Sequence, residues 1–164
     1  MRRAFYVVLT VLLLAVSLSG CDGQKKRAEE GLKLSGGRRL VAGAALNETP
    51  FEGLLERHES NSCIGSGTDV FYKYEGFSVT AYPDGNGGHY AGMIKIDGSG
   101  AETFRGLRVG QTRAEAEELY DGAIPASQQA LIYAPDADGP VLTIYFDGTD
   151  KVERIVIVYE KDVN

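Results

Sequence analysis

The stretch GFSVTAYPDGNGGHYAGMIKID at residues 76–97 returns, in altered form, as GPVLTIYFDGTDKVERIVIVYE at residues 139–160. The two stretches align without a gap at a shift of 63 positions, and each places an Asp-Gly pair between two β-prone runs, as a β-hairpin does. The segments before them, residues 43–59 and 106–122, align at the same shift. A repeat of this length indicates one supersecondary unit that the chain uses twice.

Each unit is predicted to be a short helix followed by three strands. Thr49 and Thr112 are candidate N-cap residues, and each is followed three positions later by a glutamate, Glu52 or Glu115, which is the capping-box pattern. The strands are predicted at 69–74, 77–82 and 90–96 in the first unit and at 129–133, 141–146 and 152–159 in the second.

One helix on three strands buries too little apolar surface to be stable alone. We therefore predict an α+β fold in which two tandem helix-and-meander units share one antiparallel sheet, with both helices on one face. The units span residues 43–97 and 106–160, and residues 41–164 then form a single globular domain.

The first twenty residues, MRRAFYVVLTVLLLAVSLSG, are predicted to be a signal peptide. Two arginines precede an apolar run at residues 4–16, which is too short for a comfortable membrane span. The run leads to LSGC at residues 18–21, which resembles a bacterial lipobox. By that resemblance Cys21 receives a diacylglyceryl group and anchors the chain to the outer face of the cytoplasmic membrane. An uncleaved anchor and an ordinary secretory signal are the alternatives.

Charge divides the rest of the chain into two parts. Residues 22–40 carry six basic and three acidic side chains, whereas residues 41–164 carry nine basic and twenty acidic ones. We predict that residues 21–40 are the lipidated cysteine and a flexible basic tether. Its cations either are attracted to anionic lipid headgroups or only keep the linker soluble. The acidic remainder argues against a nucleic acid as partner.

Two stretches carry a resemblance to known families. SCIGSGTDVFYKYEGFSVTAYPDG at residues 62–85 and ETFRGLRVGQTRAEAEELY at residues 102–120 resemble a set of uncharacterised lipoproteins from Firmicutes. The Gly-x-x-x-Gly-x-Thr lead at residues 106–112, before a short acidic helix and a meander, resembles the fold of the β-lactamase inhibitory proteins and of the small lipoprotein of the outer-membrane assembly machinery. The resemblance implies a sheet with helices on one face and a second face free to bind a partner.

Strand alternation predicts which side chains lie on that open face. It places there Thr80, Tyr82, Lys95, Thr143 and Tyr145. Tyrosine on an exposed sheet offers a broad contact area at a low entropic cost. We predict that these side chains bind an envelope protein or a cell-wall component. The alternative is that the tyrosines only pair across strands and stiffen the sheet.

The sequence offers little that points to catalysis. Cys63 is the only cysteine besides Cys21, and His58 and His89 show no zinc-binding spacing. No glycine-rich phosphate loop opens a helix. We therefore expect a binding protein that is not an enzyme, with no metal and no cofactor. The alternatives are an inhibitor that covers an envelope enzyme, an enzyme that uses Cys63 or a carboxylate pair, and a structural spacer.

Overall fold

Twelve strands and one helix make up the part of the chain that the computed structural model describes, residues 29–34, 36–46, 49–64 and 66–161. In chain order they are β1 Gly31–Leu34, β2 Arg39–Val41, β3 Ala45–Leu46, β4 Glu56–Asn61, β5 Thr68–Tyr74, β6 Phe77–Pro83, β7 His89–Ile96, β8 Ala101–Thr103, α1 Arg113–Leu119, β9 Ile124–Ser127, β10 Ala130–Tyr133, β11 Val141–Phe146 and β12 Val152–Val158. The predicted signal peptide and Cys21 lie outside these residues.

A nine-stranded antiparallel sheet dominates the fold. Its strand order is β4-β5-β6-β7-β12-β11-β10-β9, and β3 adds to β7. The two halves meet where β7 pairs with β12. Ile94 lies opposite Ile157, its own equivalent at the shift of 63, and Lys95 lies opposite Val156 while Met93 lies opposite Val158. The repeated hairpins are therefore related by a local two-fold axis that passes between Ile94 and Ile157.

The two hairpin turns are built alike. In both, one aspartate carboxylate accepts backbone hydrogen bonds from equivalent positions: Asn86 (2.8 Å) and Gly88 (2.9 Å) at Asp84, and Thr149 (2.7 Å) and Lys151 (3.1 Å) at Asp147. These bonds favour the ionised carboxylate, so they lower the pKa of both aspartates. Each turn thus carries its own local stabilisation.

The predicted architecture of two helix-and-meander units is wrong. Of the described residues, 49% are in strands and 5% are helical, and they contain a single helix. The helix predicted from Thr49 does not form. Gly53 has φ +80, which a helix cannot accommodate, and β4 begins at Glu56 and pairs with β5 over six residues. Pairing along the edge of the sheet outweighs the capping pattern of this segment.

The second predicted helix is present as α1. The Thr112 hydroxyl accepts a hydrogen bond from the Glu115 N–H (3.3 Å), and the Glu115 carboxylate accepts one from the Thr112 N–H (2.8 Å). These reciprocal bonds form a capping box. Ala116 and the C-cap residue Tyr120 are fully buried, so the helix packs on the core although it is only seven residues long.

A small sheet of order β2-β1-β8 covers the same side of the large sheet as α1. Leu32, Leu34 and Leu40 enter the core, and Lys33 and Arg39 alternate with them and face outward. Residues 29–34 and 36–40, which we assigned to the flexible tether, are thus placed in the fold. Their charge concealed the alternation of leucines in two very short strands.

Glu30 ties the start of β1 to the end of α1. Its side chain is 1% exposed and accepts hydrogen bonds from the Arg105 guanidinium (3.1 Å) and the Tyr120 hydroxyl (3.2 Å). Arg105 also donates to the Leu119 carbonyl (3.2 Å) and lies 4.6 Å from the centre of the Tyr133 ring. Burial raises the pKa of Glu30, and Arg105 opposes that rise. The chain is therefore fixed to the core at residue 30.

Candidate binding surface

The two faces of the large sheet differ in what covers them. One face carries the core, including Val79, Ile94, Ile144, Ile155 and Ile157, all 0% exposed, and packs against the small sheet and α1. On the opposite face no helix or strand of the described residues packs over the sheet. We call this second face the open face, and it is the candidate binding surface.

Apolar side chains form a strip across one half of the open face, interrupted by Thr143 between Ile132 and Val156. It contains residues from the four neighbouring strands β9 to β12. Ile124 on β9 pairs with Ile132 on β10, and Val141 on β11 pairs with Val158 on β12. Val156 lies on the same face of β12 as Val158. Ile124 is 64% exposed and Val141 is 38% exposed. Contiguous exposed apolar surface on a folded protein marks an interaction site more often than a scattered residue does.

The other half of the open face is more polar, although Phe71 and Met93 lie on it opposite Thr80. The positions equivalent to Val141 and Val158 are Ser78 and Lys95. Lys95 forms an ion pair with Asp97 (2.7 Å), and on the outer strands Glu56 lies opposite Lys73. The repeat therefore builds one sheet whose open face is chemically different in its two halves.

Four of the five predicted contact residues lie on the open face. Thr80, Thr143, Lys95 and Tyr145 are partly exposed there. The Arg154 guanidinium covers Tyr145, at 4.3 Å from the ring centre. Thr143 lies within the apolar strip, and the other three lie outside it.

Tyr82, the fifth predicted contact residue, is only 8% exposed. Its ring lies over Gly92, where a Cβ would come within 1.8 Å of a ring carbon, and it meets the Tyr90 ring edge-on at 6.0 Å. Burial, and then the nearby charge of Asp69, raises the pKa of Tyr82. The missing side chain at Gly92 thus makes room for a packed tyrosine, which is a structural role.

Sequence reasoning missed Ile124 and Ile132 as open-face residues. Ile132 alternates with the buried Leu131, so the pattern of its strand could have indicated its direction. The strand of Ile124 also contains Pro125, and proline argues against a strand unless the strand lies at an edge. β9 does lie at the edge of the sheet.

Both outer edges of the large sheet are poorly suited to accept another strand. At one edge, β4 is exposed throughout and carries Glu56, Arg57, His58 and Glu59 in succession. At the other edge, Pro125 on β9 lacks a backbone N–H to donate. Charged residues and proline are the usual means of blocking an edge. Neither outer edge therefore offers an unobstructed strand for pairing with another chain.

Cys63 lies in the turn after β4, and its thiol is free and exposed. His58 packs on the Phe71 ring (4.8 Å between centres) and lies 3.5 Å from the Glu56 carboxylate, and His89 bonds the Thr68 carbonyl (2.8 Å). The described contacts of these side chains do not join Cys63 to either histidine. Within the described ranges no three His, Cys, Asp or Glu side chains form a group that could hold a metal ion.

No helix in the described part of the chain is long and apolar enough to cross a membrane. Comparison of the chain with protein-family models, with curated proteins and with solved structures found no match. The resemblance to Firmicutes lipoproteins and to the inhibitory proteins stays a prediction from the sequence. The case for a function therefore depends on the geometry and chemistry of the open face.

Proposed function

We propose that this protein is a lipid-anchored lipoprotein on the outer face of the cytoplasmic membrane that binds an envelope protein through the open face of its large sheet. The N-terminal sequence supports the location, since a basic start and an apolar run precede LSGC at residues 18–21. The observation that carries the binding function is the apolar strip of Ile124, Ile132, Val141, Val156 and Val158.

The strip favours a protein partner because it offers apolar area with a polar rim. Thr143 lies within it, and Tyr145 with Arg154 borders it. Aromatic and arginine side chains are enriched at protein interfaces, where their polar ends can bond the partner. The buried Tyr82 takes no part in this contact.

Chemical crosslinking and pull-down from membranes, with tagged protein as bait, tests the proposal. Val141→Lys/Val156→Glu places two charges in the strip and leaves the net charge of the chain unchanged. The two positions are diagonal neighbours on β11 and β12, so the new side chains can pair with each other. We expect this variant to fold and to lose the partner that the wild-type protein recovers.

The matched control exchanges charges on the polar half of the same face, as Glu56→Lys/Lys73→Glu. This variant should recover the partner as the wild-type protein does. Equal recovery by the strip variant and the control, with both folded by circular dichroism, would reject the strip as the binding surface.

A further inference from the structure

We propose that the outer surface of the small sheet docks on anionic lipid headgroups and so turns the open face away from the membrane. This inference rests on the lipid anchor at Cys21 that the proposed function includes. It concerns a different surface of the molecule, on the side opposite to the apolar strip.

The outer surface of the small sheet concentrates positive charge. Its cations are Lys33, Arg38, Arg39 and Arg108, all exposed, and Lys33 and Arg108 form ion pairs with the acid Glu102. We call these five residues the basic surface. Outside the basic surface, residues 41–164 carry nineteen acids against eight basic residues. The basic surface therefore differs in charge from the rest of the domain.

Glu102 cancels one of these four charges. Its carboxylate is 11% exposed and lies under Lys33 (Nζ–Oε1, 2.8 Å) and Arg108 (Nε–Oε2, 2.6 Å). Both cations lower its pKa, Lys33 more than Arg108, so it is ionised and holds them in place. The charged ends of Lys33 and Arg108 face solvent. The ends of Arg38 and Arg39 also face solvent, and the Arg39 guanidinium lies 3.9 Å from the centre of the Phe104 ring.

The basic surface also contains space for a headgroup. An open cavity of about 550 Å³ lies beside Lys33 and Arg108, between the turn at Gly36–Gly37 and the turn at Ser99–Gly100. Glu102 also lines this cavity. A lipid phosphate there would accept charge-assisted hydrogen bonds from the N–H groups of Lys33 and Arg108 that the carboxylate does not use.

The length of chain before β1 brings this surface to the membrane. Eight residues lie between Cys21 and Glu30, which is fixed in the core. A segment of this length reaches about 30 Å when extended and about 16 Å as a flexible coil. The basic surface belongs to the first folded elements after that segment, so it lies within reach of the bilayer.

Electrostatics then selects the orientation. Anionic headgroups attract the basic surface within about 8 Å at physiological ionic strength. Because the small sheet covers the core side of the large sheet, docking through its outer surface leaves the open face directed outward. A soluble or membrane-bound envelope protein can then reach the apolar strip.

Tryptophan fluorescence can measure this docking, because the chain contains no tryptophan. Ser99→Trp places one reporter at the cavity, and Asn61→Trp places one at the far end of β4. The lipidated protein is inserted in nanodiscs that contain a lipid with a nitroxide on its headgroup. We expect stronger quenching of the Ser99→Trp reporter in discs with phosphatidylglycerol than in discs of phosphatidylcholine alone, and no such difference for Asn61→Trp.

Charge variants identify the surface. Arg38→Gln/Arg39→Gln should lower the ratio of docked to undocked domains by about 30-fold, because two charges near an anionic surface are removed. Both arginines lack ion pairs among the described residues, so the variant should fold. The control Lys73→Gln/Lys151→Gln removes the same charge elsewhere and should dock as the wild-type protein does. Raising the salt to about 1 M, where the Debye length is about 3 Å, should abolish the difference between lipids.

Three results would overturn the proposal. They are equal quenching of the wild-type reporter in both lipids, full docking of the Arg38→Gln/Arg39→Gln variant, and an intact mass of the membrane-extracted chain that shows no lipid on Cys21. Binding to isolated cell-wall polymer, without any lipid-dependent quenching, would also contradict it. None of these quenching results affects the crosslinking test of the apolar strip, so the two proposals fail separately.

Discussion

Replacing Arg105 with methionine tests how the N-terminal segment is fixed to the core. The substitution removes a charge-assisted bond to Glu30, a bond to the Leu119 carbonyl and the contact with the Tyr133 ring, and it leaves Glu30 with only the Tyr120 hydroxyl. Leaving a buried charge without its partner typically costs 3–5 kcal/mol. The Arg105 side chain is 37% exposed, so solvent screens part of the interaction, and we expect a loss of about 2–3 kcal/mol.

Urea unfolding followed by far-UV circular dichroism measures this loss. With an m-value of about 2 kcal/mol/M, the midpoint should fall by roughly 1–1.5 M at pH 7. The side chain of Glu30→Gln carries no charge. In that background Arg105→Met should lower the free energy of unfolding by less than about 1 kcal/mol. The difference between the two backgrounds isolates the charge interaction from the loss of packing.

The pH dependence of folding stability provides a second test of the same variant. Burial raises the pKa of Glu30 above its usual value of 4.5, so the folded state binds this proton more tightly than the unfolded state does. The residue's contribution to stability is therefore largest at low pH and declines as the pH rises through 4.5 and above. Removing Arg105 raises that pKa further. The loss of stability caused by Arg105→Met should be largest at pH 7 and should shrink when Glu30 is protonated. An unchanged urea midpoint at pH 7 would refute the reasoning.

Three other outcomes are expected. Thr112→Ala should lower the free energy of unfolding by about 1 kcal/mol because it breaks the capping box of α1. Thr49→Ala should have almost no effect, since no helix begins there. Equal losses for the two variants on urea unfolding would contradict the fold. Gly92→Val should destabilise by about 1–3 kcal/mol through overlap with the Tyr82 ring, and Tyr82→Ala should restore part of that loss in the double variant, as read by thermal melting. The fold lowers the pKa of Asp84 and Asp147, so their contribution to folding stability is present above the usual pKa of 3.8 and is lost as the pH falls through the folded pKa. Asp84→Ala/Asp147→Ala should therefore make stability depend less on pH in the acid range. An unchanged pH dependence there would argue against the hydrogen bonds in the turns.

The hairpins were predictable because their signals are local. An Asp-Gly pair between β-prone runs defines a turn within a few residues, and both predicted turns connect strands that pair as neighbours. The alternation of side chains along β6 and β11 likewise depends only on strand geometry. It places Thr80 and Thr143 on the open face, where the structure has them.

The failed helix at Thr49 shows where local signals stop. The capping pattern from Thr49 to Glu52 is as good as that from Thr112 to Glu115, yet only the second begins a helix. The difference is non-local, since β5 offers an unpaired edge to the segment that begins at Glu56. Tertiary pairing can override a propensity of this size.

Tyr82 and the leucines of β1 show a second kind of limit. Alternation assigns Tyr82 to the open face, but the bulge near Gly92 lets its ring pack down on the backbone. Leu32 and Leu34 stand in a segment whose charge suggested a solvated linker, and only the presence of β8 as a partner makes them core residues. In both places the outcome depends on a contact with a distant part of the chain.

Solvent paramagnetic relaxation of methyl groups in NMR tests the central claim, which is that one face of the large sheet is covered and the other is open. With a soluble gadolinium chelate, the methyl groups of Val141 and Val158 should relax strongly, whereas those of Ile94, Ile155 and Ile157 should hardly respond. Protection of the valines equal to that of the three isoleucines would show that the face is covered in solution, and it would contradict the account.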